Sequence, residues 1–451
     1  MTNVEEFELL ILGGGKATLA MDMAHAGRRV VVIERGLIGG SCINVACIPT
    51  KALVRSASAA ALARGREMFG MRPAEVEVDM LRVAARTAGV VEGMVNDHRR
   101  LFAESGFELV IGEGRFVAPR VIEASLPGGG VRRLTGERIF LNLGTRAAVP
   151  DVPGLRATAP LTHVEALRLE RLPRHLVVLG GGYVELEMAQ AFRRLGSTVT
   201  VIERGSQLAG REDPDVAAAV LELLLDEGIA VHLDTLVTQV MGRSGEAVTL
   251  RLLQGGNELA LEGSDILVAA GRVPQTAAIG LEVTGVDLDA SGFISVDDRL
   301  ATTAPGIWAL GEAAGSPMFT HVSLDDYRIA KSVILGGDRT TRRRLIPYAV
   351  FIEPELSRVG FNETEARRQG ISVRVAKLSM AAVPRARTLS ETRGFMKTIV
   401  QADGDTILGF SMLGAQSGRG RCCCPSRDVG QAALHGIPRR YSGTSDDGGR
   451  T

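Results

Sequence analysis

Aromatic residues make up only 4% of the 451-residue chain, while glycine numbers 54. That mix suits an α/β protein with many tight turns and backbone-lined ligand sites. Charge of one sign is also missing, since Lys+Arg and Asp+Glu both number 52. A net charge of zero excludes a phosphate-tracking nucleic-acid binder. No apolar run reaches membrane-spanning length, so no membrane partner is expected. The acidic start, Met1 to Glu6, lacks the charged-then-apolar order of a signal peptide, and a cytoplasmic location is the expectation. Cysteines number five, too few for a disulfide scaffold, so they are expected to be reactive rather than structural. What remains is an ordinary globular composition, 45% hydrophobic and 23% charged, which rules out disorder for most of the chain. At roughly 150 residues per domain, the length implies two to four domains.

Two segments read as strand, Gly-rich turn, helix and second strand. The first runs from Phe7 through Gly13-Gly14-Gly15 and a helix to about Gly27, then a strand ending at Glu34. The second runs from His175 through Gly180-Gly181-Gly182 and a helix to about Leu195, then a strand ending at Glu203. Short apolar runs bounded by glycine fit buried parallel strands. Glycines let backbone approach a pyrophosphate, the helix start offers free N–H groups, and the acid can bind a ribose. One Gly-x-Gly is weak, but two units each closed by an acid about 20 residues on are a strong dinucleotide signal. The usual third small residue is Thr18 in the first unit and Glu185 in the second. Glu185 puts a carboxyl near a helix start meant for phosphate, which weakens binding unless it points outward. A helix is expected over about 73–105, a strand-rich return to Leu143, and strands with one helix, Glu363 to Gln369, from about Pro347.

Cys42 and Cys47 lie in Gly40-Ser41-Cys42-Ile43-Asn44-Val45-Ala46-Cys47-Ile48-Pro49-Thr50-Lys51, directly after the first unit. The spacing allows a disulfide within one helical-turn region, beside a bound cofactor. A helix start favours the thiolate, and such a dithiol can pass electron pairs by exchange. Zinc is the competing reading, but no nearby cluster supplies further ligands, so no metal site is expected.

With these motifs, Ala270-Gly271-Arg272-Val273-Pro274 and Trp308-Ala309-Leu310-Gly311-Glu312, the chain resembles the flavin-dependent pyridine nucleotide–disulfide oxidoreductases over residues 7 to about 417. Gly15-Lys16-Ala17, Ser323 to Arg328 and Val383 to Arg387 are similar to the branch of mercuric reductase, dihydrolipoamide dehydrogenase and the reactive-chlorine-resistance reductase. The first glycine loop is two residues shorter than that branch usually has. The resemblance implies an α/β fold with two Rossmann-like three-layer domains, for FAD and NAD(P), plus a C-terminal α+β interface domain. Residues 1–148 and 274–340 would bind FAD, 149–273 NAD(P), and 341–417 would form a homodimer interface, leaving 418–451 as an aberrant tail. It implies FAD at Gly13, Gly15, Glu34, Gly144, Thr145, Gly311 and Glu312. It implies NAD(P)H at Gly180, Gly182, Tyr183, Glu203 and Gly271, with the Glu203 carboxylate favouring NADH and Arg204 beside it. Cys42 would be the exchange thiol and Cys47 the flavin-facing one, with Lys51 and Glu187 paired near the flavin. Electrons would pass to a small disulfide or a metal-ion or quinone acceptor.

The family ends on His-Pro-Thr followed by Glu, its acid/base pair, and the 451 residues contain no such motif. After Gly418 apolar periodicity is lost, so a dimer is doubtful for this chain. Codons compatible with Thr444 to Thr451, read one base later, spell His-Pro-Thr-Met-Ala-Glu-Gly, which suggests a frameshifted tail. Cys422-Cys423-Cys424 then reads as a product of that shift rather than a soft-metal site. The alternative to an active enzyme is a catalytically impaired relic that keeps the fold.

Overall fold

The computed structural model describes residues 4–72, 75–342 and 344–420. Cys422 to Cys424 and the frame-shift reading of the tail lie outside the described residues. The chain forms two units, Met1–Leu208 with Leu224–Arg344, and Ala209–Leu223 with Leu345–Thr451.

The first unit opens with β1 (Val4–Leu12), α1 (Thr18–His25) and β2 (Val30–Glu34). Leu9 to Leu12 and all of β2 are buried, as the unbroken apolar runs require of parallel strands covered on both faces. Next come α2 (Gly40–Asn44), α3 (Cys47–Arg64) and α4 (Met80–Glu104). Then follow β3 (Glu108–Ile111), β4 (Glu113–Ala118), β5 (Val121–Ser125), β6 (Val131–Leu141) and β7 (Thr145–Ala147). The sheet order is β3-β2-β1-β6-β5-β4. β3, β2, β1 and β6 run parallel, while β5 and β4 join antiparallel.

The second glycine unit follows α5 (His163–Ala166) and consists of β8 (His175–Leu179), α6 (Tyr183–Leu195) and β9 (Thr198–Ile202). After α7 (Pro214–Asp226) and β10 (Ala230–His232) comes an antiparallel sheet of β11 (Thr235–Arg243), β12 (Ala247–Gln254) and β13 (Asn257–Gly263). β14 (Asp265–Val268) completes the parallel sheet β10-β9-β8-β14. β15 (Arg272–Pro274) pairs with β7, and β16 (Ile307–Ala309) adds to β6 in parallel. There Trp308 stacks on Phe140 at 5.3 Å. α8 (Thr320–Ile334) covers the first sheet with α1, burying Ile329 and Ala330 against Leu9, Ile11 and Ala20. Each such large aliphatic side chain contributes roughly 1.5–3 kcal/mol when fully buried.

The helix expected over 73–105 starts only at Met80. Residues 75–79 have no regular structure, because Asp79 acts as N-cap and accepts the Arg82 amide at 3.1 Å. The Cys42–Cys47 segment also differs from a single helical turn. Val45 and Ala46 leave helical geometry, with φ −141° and −132°, and divide α2 from α3. No helix among the described residues is long and apolar enough to cross a membrane.

The second unit is an antiparallel sheet, β17 (Tyr348–Val350), β18 (Leu356–Gly360), β19 (Val373–Ser379), β20 (Phe395–Gln401) and β21 (Ile407–Leu413), in the order β17-β18-β21-β20-β19. α9 (Glu363–Arg368) begins at a capping box formed by Asn362 and Glu365. Alternation along β20 puts Lys397 inward, 2% exposed, against Asp213 at 3.0 Å, Asp215 at 2.9 Å and Glu363. Asp213 also accepts the Glu363 and Thr364 amides, each at 3.0 Å. Truncating one partner of a buried pair strands the other's charge. Lys397→Met leaves buried Asp213 without its cation and is expected to destabilise this unit by about 3–5 kcal/mol, and adding Asp213→Asn to recover most of it. Denaturant unfolding of the single and double variants checks this, and equal losses in both would contradict it.

Candidate functional site

The first glycine loop closes on its own acid. Glu34 ends β2, 7% exposed, and its Oε2 accepts the Gly14 amide at 2.8 Å. Its Oε1 accepts the Gly36 and Leu37 amides, each at 2.9 Å. Gly13 turns at φ 92°, and a Cβ there would lie 2.3 Å from the Asn142 carbonyl oxygen. At Gly15, φ 49°, a Cβ would lie 2.7 Å from Asn142 Nδ2. Ala17 takes φ 50°, a left-handed conformation that costs a non-glycine residue about 1–2 kcal/mol. Its amide donates to the Gly14 carbonyl at 2.8 Å, and no side chain caps α1.

The second loop repeats the device. Glu203 Oε2 accepts the Gly181 amide and Oε1 the Gly205 amide, each at 2.6 Å. Gly182 is the N-cap of α6, and no side chain caps that helix. Both glycine cradles would be filled by a Cβ, and both present a carboxylate at the strand end. The residues present therefore fit adenine dinucleotides at both loops. Glu185 does not point outward, as dinucleotide binding was expected to require. It is 5% exposed, with its carboxyl folded under the Gly180–Gly182 bend, and burial pushes its pKa up to about 8.

Thr145, Gly144 and Gly271 meet where β7 pairs with β15, and Gly311 and Glu312 follow β16. Thr145 Oγ1 donates to the Glu312 carboxylate. Arg272 Nε donates to Thr145 Oγ1 at 2.6 Å and lies 3.4 Å from Glu312. The Gly311 amide donates to Asp326 Oδ2 at 2.7 Å, and Asp326 is fully buried. His163 lies 3.5 Å from Arg272, and burial lowers its pKa to about 4.

Cys42 and Cys47 are both thiols in this structure, the reduced form of the expected disulfide pair. The break after α2 sets Cys47 at the first position of α3. Thr320, at the start of α8, reaches both sulfurs: its hydroxyl donates to Cys42 Sγ at 3.1 Å and lies 3.4 Å from Cys47 Sγ. The Cys47 pKa is lowered to about 6, by a hydrogen bond from Cys42 and then by Thr320 and the Lys51 charge. Cys42 is pushed far up by the same bond and by burial. Lys51, one turn into α3, donates to Glu187 Oε2 of α6 at 2.6 Å. Cys47 of the expected redox pair and Lys51 of the expected Lys–Glu pair thus share one helix, α3.

Sequence reasoning missed Thr320, Asn142, Arg272 and Asp326 as parts of the site. Arg272 and Asp326 stood inside motifs already singled out, beside Gly271 and within the Ser323 to Arg328 run. Thr320 and Asn142 carried no signal of their own.

Comparison with known proteins follows the same lines. The profile of the pyridine nucleotide-disulphide oxidoreductases matches residues 7–326, and that of their dimerisation domain matches 346–420. The chain is 36% identical over 418 residues to the probable pyridine nucleotide-disulfide oxidoreductase RclA of Escherichia coli, covering 91% of this chain and 90% of that one. It is 34% identical over 417 residues to a mercuric reductase of Streptomyces lividans, covering 91% and 88%. A solved Cu(II) complex of the HOCl-induced flavoprotein disulfide reductase RclA from Escherichia coli superposes with a TM-score of 0.82 at 36% identity, covering 92% and 91%.

The geometry assigns the low-pKa thiol to Cys47. In the reduced protein, the thiolate absorbance lost on Cys47→Ala is expected to titrate near pH 6. Using the difference between the two proteins removes the signal of the cysteines that do not touch Cys47. A difference that titrates near pH 9 would contradict the assignment.

Proposed function

The chain belongs to the pyridine nucleotide–disulphide oxidoreductases, and within that family we propose that it passes electron pairs from NAD(P)H, with NADH preferred, through FAD to Cys42 and Cys47 and on to an acceptor. Relatives in this family use FAD and NAD(P)H. When bound, the nicotinamide supplies a hydride and the flavin relays its electron pair. The observation that carries the reading is the cluster of two thiols on one Thr320 hydroxyl, beside the Lys51–Glu187 pair.

Each residue has a part. The Gly13–Gly15 loop and Glu34 hold the flavin nucleotide, with Gly144, Thr145, Gly311 and Glu312 at its far end. The Gly180–Gly182 loop, Tyr183, Glu203 and Gly271 hold the coenzyme. One hydride equivalent, an electron pair with one proton, breaks the Cys42–Cys47 bond and leaves one thiol and one thiolate. The proton goes to Cys42, whose affinity for it is high, and the negative charge rests on Cys47, steadied by Thr320 and Lys51. Cys42 then meets the acceptor. The domain roles read from the sequence, FAD at 1–148 and 274–340 and coenzyme at 149–273, go with this assignment. A homodimer through 341–417 is the family arrangement, supported by the match to the dimerisation domain.

The acceptor class follows from the same chemistry. A high-pKa Cys42 needs a base before it can attack a disulfide, and the 451 residues hold no His-Pro-Thr segment with its Glu. Loss of a positioned acid/base costs about 10²–10⁴-fold. Metal ions such as Cu(II) or Hg(II), or quinones, are therefore favoured over lipoamide-type disulfides. An impaired relic is the second reading, supported by the strained Ala17 and by Glu185 under the coenzyme loop.

Anaerobic titration with NADH separates the two readings. The enzyme reading expects a yellow protein whose flavin bleaches with NADH, and a protein that stays colourless after added FAD would leave the relic. A paired assay on this chain and on a version carrying the restored His-Pro-Thr-Met-Ala-Glu segment addresses the acceptor. Restoration is expected to raise lipoamide turnover far more than Cu(II) or quinone turnover. Equal gains would overturn the acceptor preference.

A further inference from the structure

Glu185 has no part in the scheme above, yet it sits in the middle of the second glycine loop. It is the third residue of α6, a position from which a glutamate commonly folds back to cap the helix start. Here no side chain caps α6. The Glu185 side chain runs under the loop instead. Its Oε1 lies 2.8 Å from the Cβ position of Gly180, and its Oε2 lies 2.8 Å from that of Gly182. The carboxyl fills the space that these two glycines leave.

The surroundings offer this carboxyl no countercharge. From β9 it faces Glu203, an acid itself. On its own helix the nearest acid is Glu187, which is paired with Lys51 of α3. Among the described residues no cation pairs with Glu185. A buried carboxyl in such a place keeps its proton. Its pKa of about 8 agrees with that geometry: burial raises it most, a hydrogen bond from its own backbone amide offsets part of that rise, and Glu203 raises it further.

We propose that Glu185 is a working part of the coenzyme site: its carboxyl must carry a proton for the coenzyme pyrophosphate to settle on the Gly180–Gly182 loop. The inference rests on the reading of this loop as the NAD(P)H site. A pyrophosphate at the start of α6 shares that helix end with the carboxyl. The neutral acid is compatible with the phosphate charge, and the carboxylate opposes it. Below about pH 8 the proton is already in place and binding takes up none. Above it, each coenzyme bound takes up one proton, and Kd rises about tenfold per pH unit.

Calorimetric titration of NAD+ into the full-length, FAD-loaded, oxidised protein tests this between about pH 6.5 and about pH 9.5, in buffers of different ionisation enthalpy. The wild type is expected to hold a constant Kd to about pH 8 and then weaken about tenfold per unit, with proton uptake appearing in the buffer dependence. Glu185→Gln keeps the shape of the neutral acid. It is expected to bind like the wild type at the lowest pH, with Kd flat throughout and no proton uptake. A flat wild-type profile, or a Gln variant that weakens as the wild type does, would overturn the role given to Glu185. Failure of NAD+ to bind the wild type, Glu185→Gln and Glu185→Gly at every pH would instead overturn the coenzyme-site reading, and the inference with it.

A second readout needs no ligand. The folded state keeps a proton that the unfolded chain gives up above its ordinary carboxyl pKa, near 4.5. Stability of the wild type relative to Glu185→Gln should therefore fall as pH rises from about 5 to about 8, then level off. A pH-independent difference would show that Glu185 ionises normally and would also overturn the proposal.

Discussion

The site depends on the contact between Lys51 and Glu187. One residue lies a turn past Cys47 in α3, and the other lies in the helix after the second glycine loop, so their 2.6 Å bond registers the thiols and that loop against each other. Glu187 is nearly buried, while about a third of the Lys51 side chain meets solvent. The pair is thus worth less than the about 3–5 kcal/mol at stake in a fully buried one. Its larger effect is local: it fixes a cation beside the sulfur that has to bear negative charge. Thr320 completes the arrangement by placing one hydroxyl on both sulfurs.

The two glycine loops are one device built twice, with different departures. In each, an acid at the end of a strand is held by amides of the loop and of the residues that follow, Glu34 by Gly14, Gly36 and Leu37, and Glu203 by Gly181 and Gly205. The backbone amides therefore hold both carboxylates in place. The first loop carries backbone strain at Ala17. The second absorbs its unusual third residue by burying Glu185. Strain and a buried acid are both tolerated because the flanking parallel strands are rigid and fully packed.

Much of this was legible in the sequence because it is local. Glycine turns, the acids about 20 residues on, and the Cys42–Cys47–Lys51 spacing each lie within one supersecondary unit. The break between α2 and α3 was not legible, since both sides of it favour helix and only tertiary packing decides. Thr320 was invisible because its link to the cysteines spans most of the chain and a lone threonine carries no pattern. Lys397, which no sequence motif singled out, lies buried in β20 with its charge balanced by Asp213, Asp215 and Glu363. The fate of Glu185 turned on side-chain direction, which periodicity cannot give.

The central claim is that electrons from the coenzyme reach the Cys42–Cys47 pair. Peptide mapping by mass spectrometry, before and after anaerobic addition of NADH, tests it most directly. The air-oxidised protein should yield a Cys42–Cys47 cross-linked peptide, and NADH should convert it to two alkylatable thiols. Two free thiols in the oxidised protein, or a cross-link that survives while the flavin bleaches, would contradict the account.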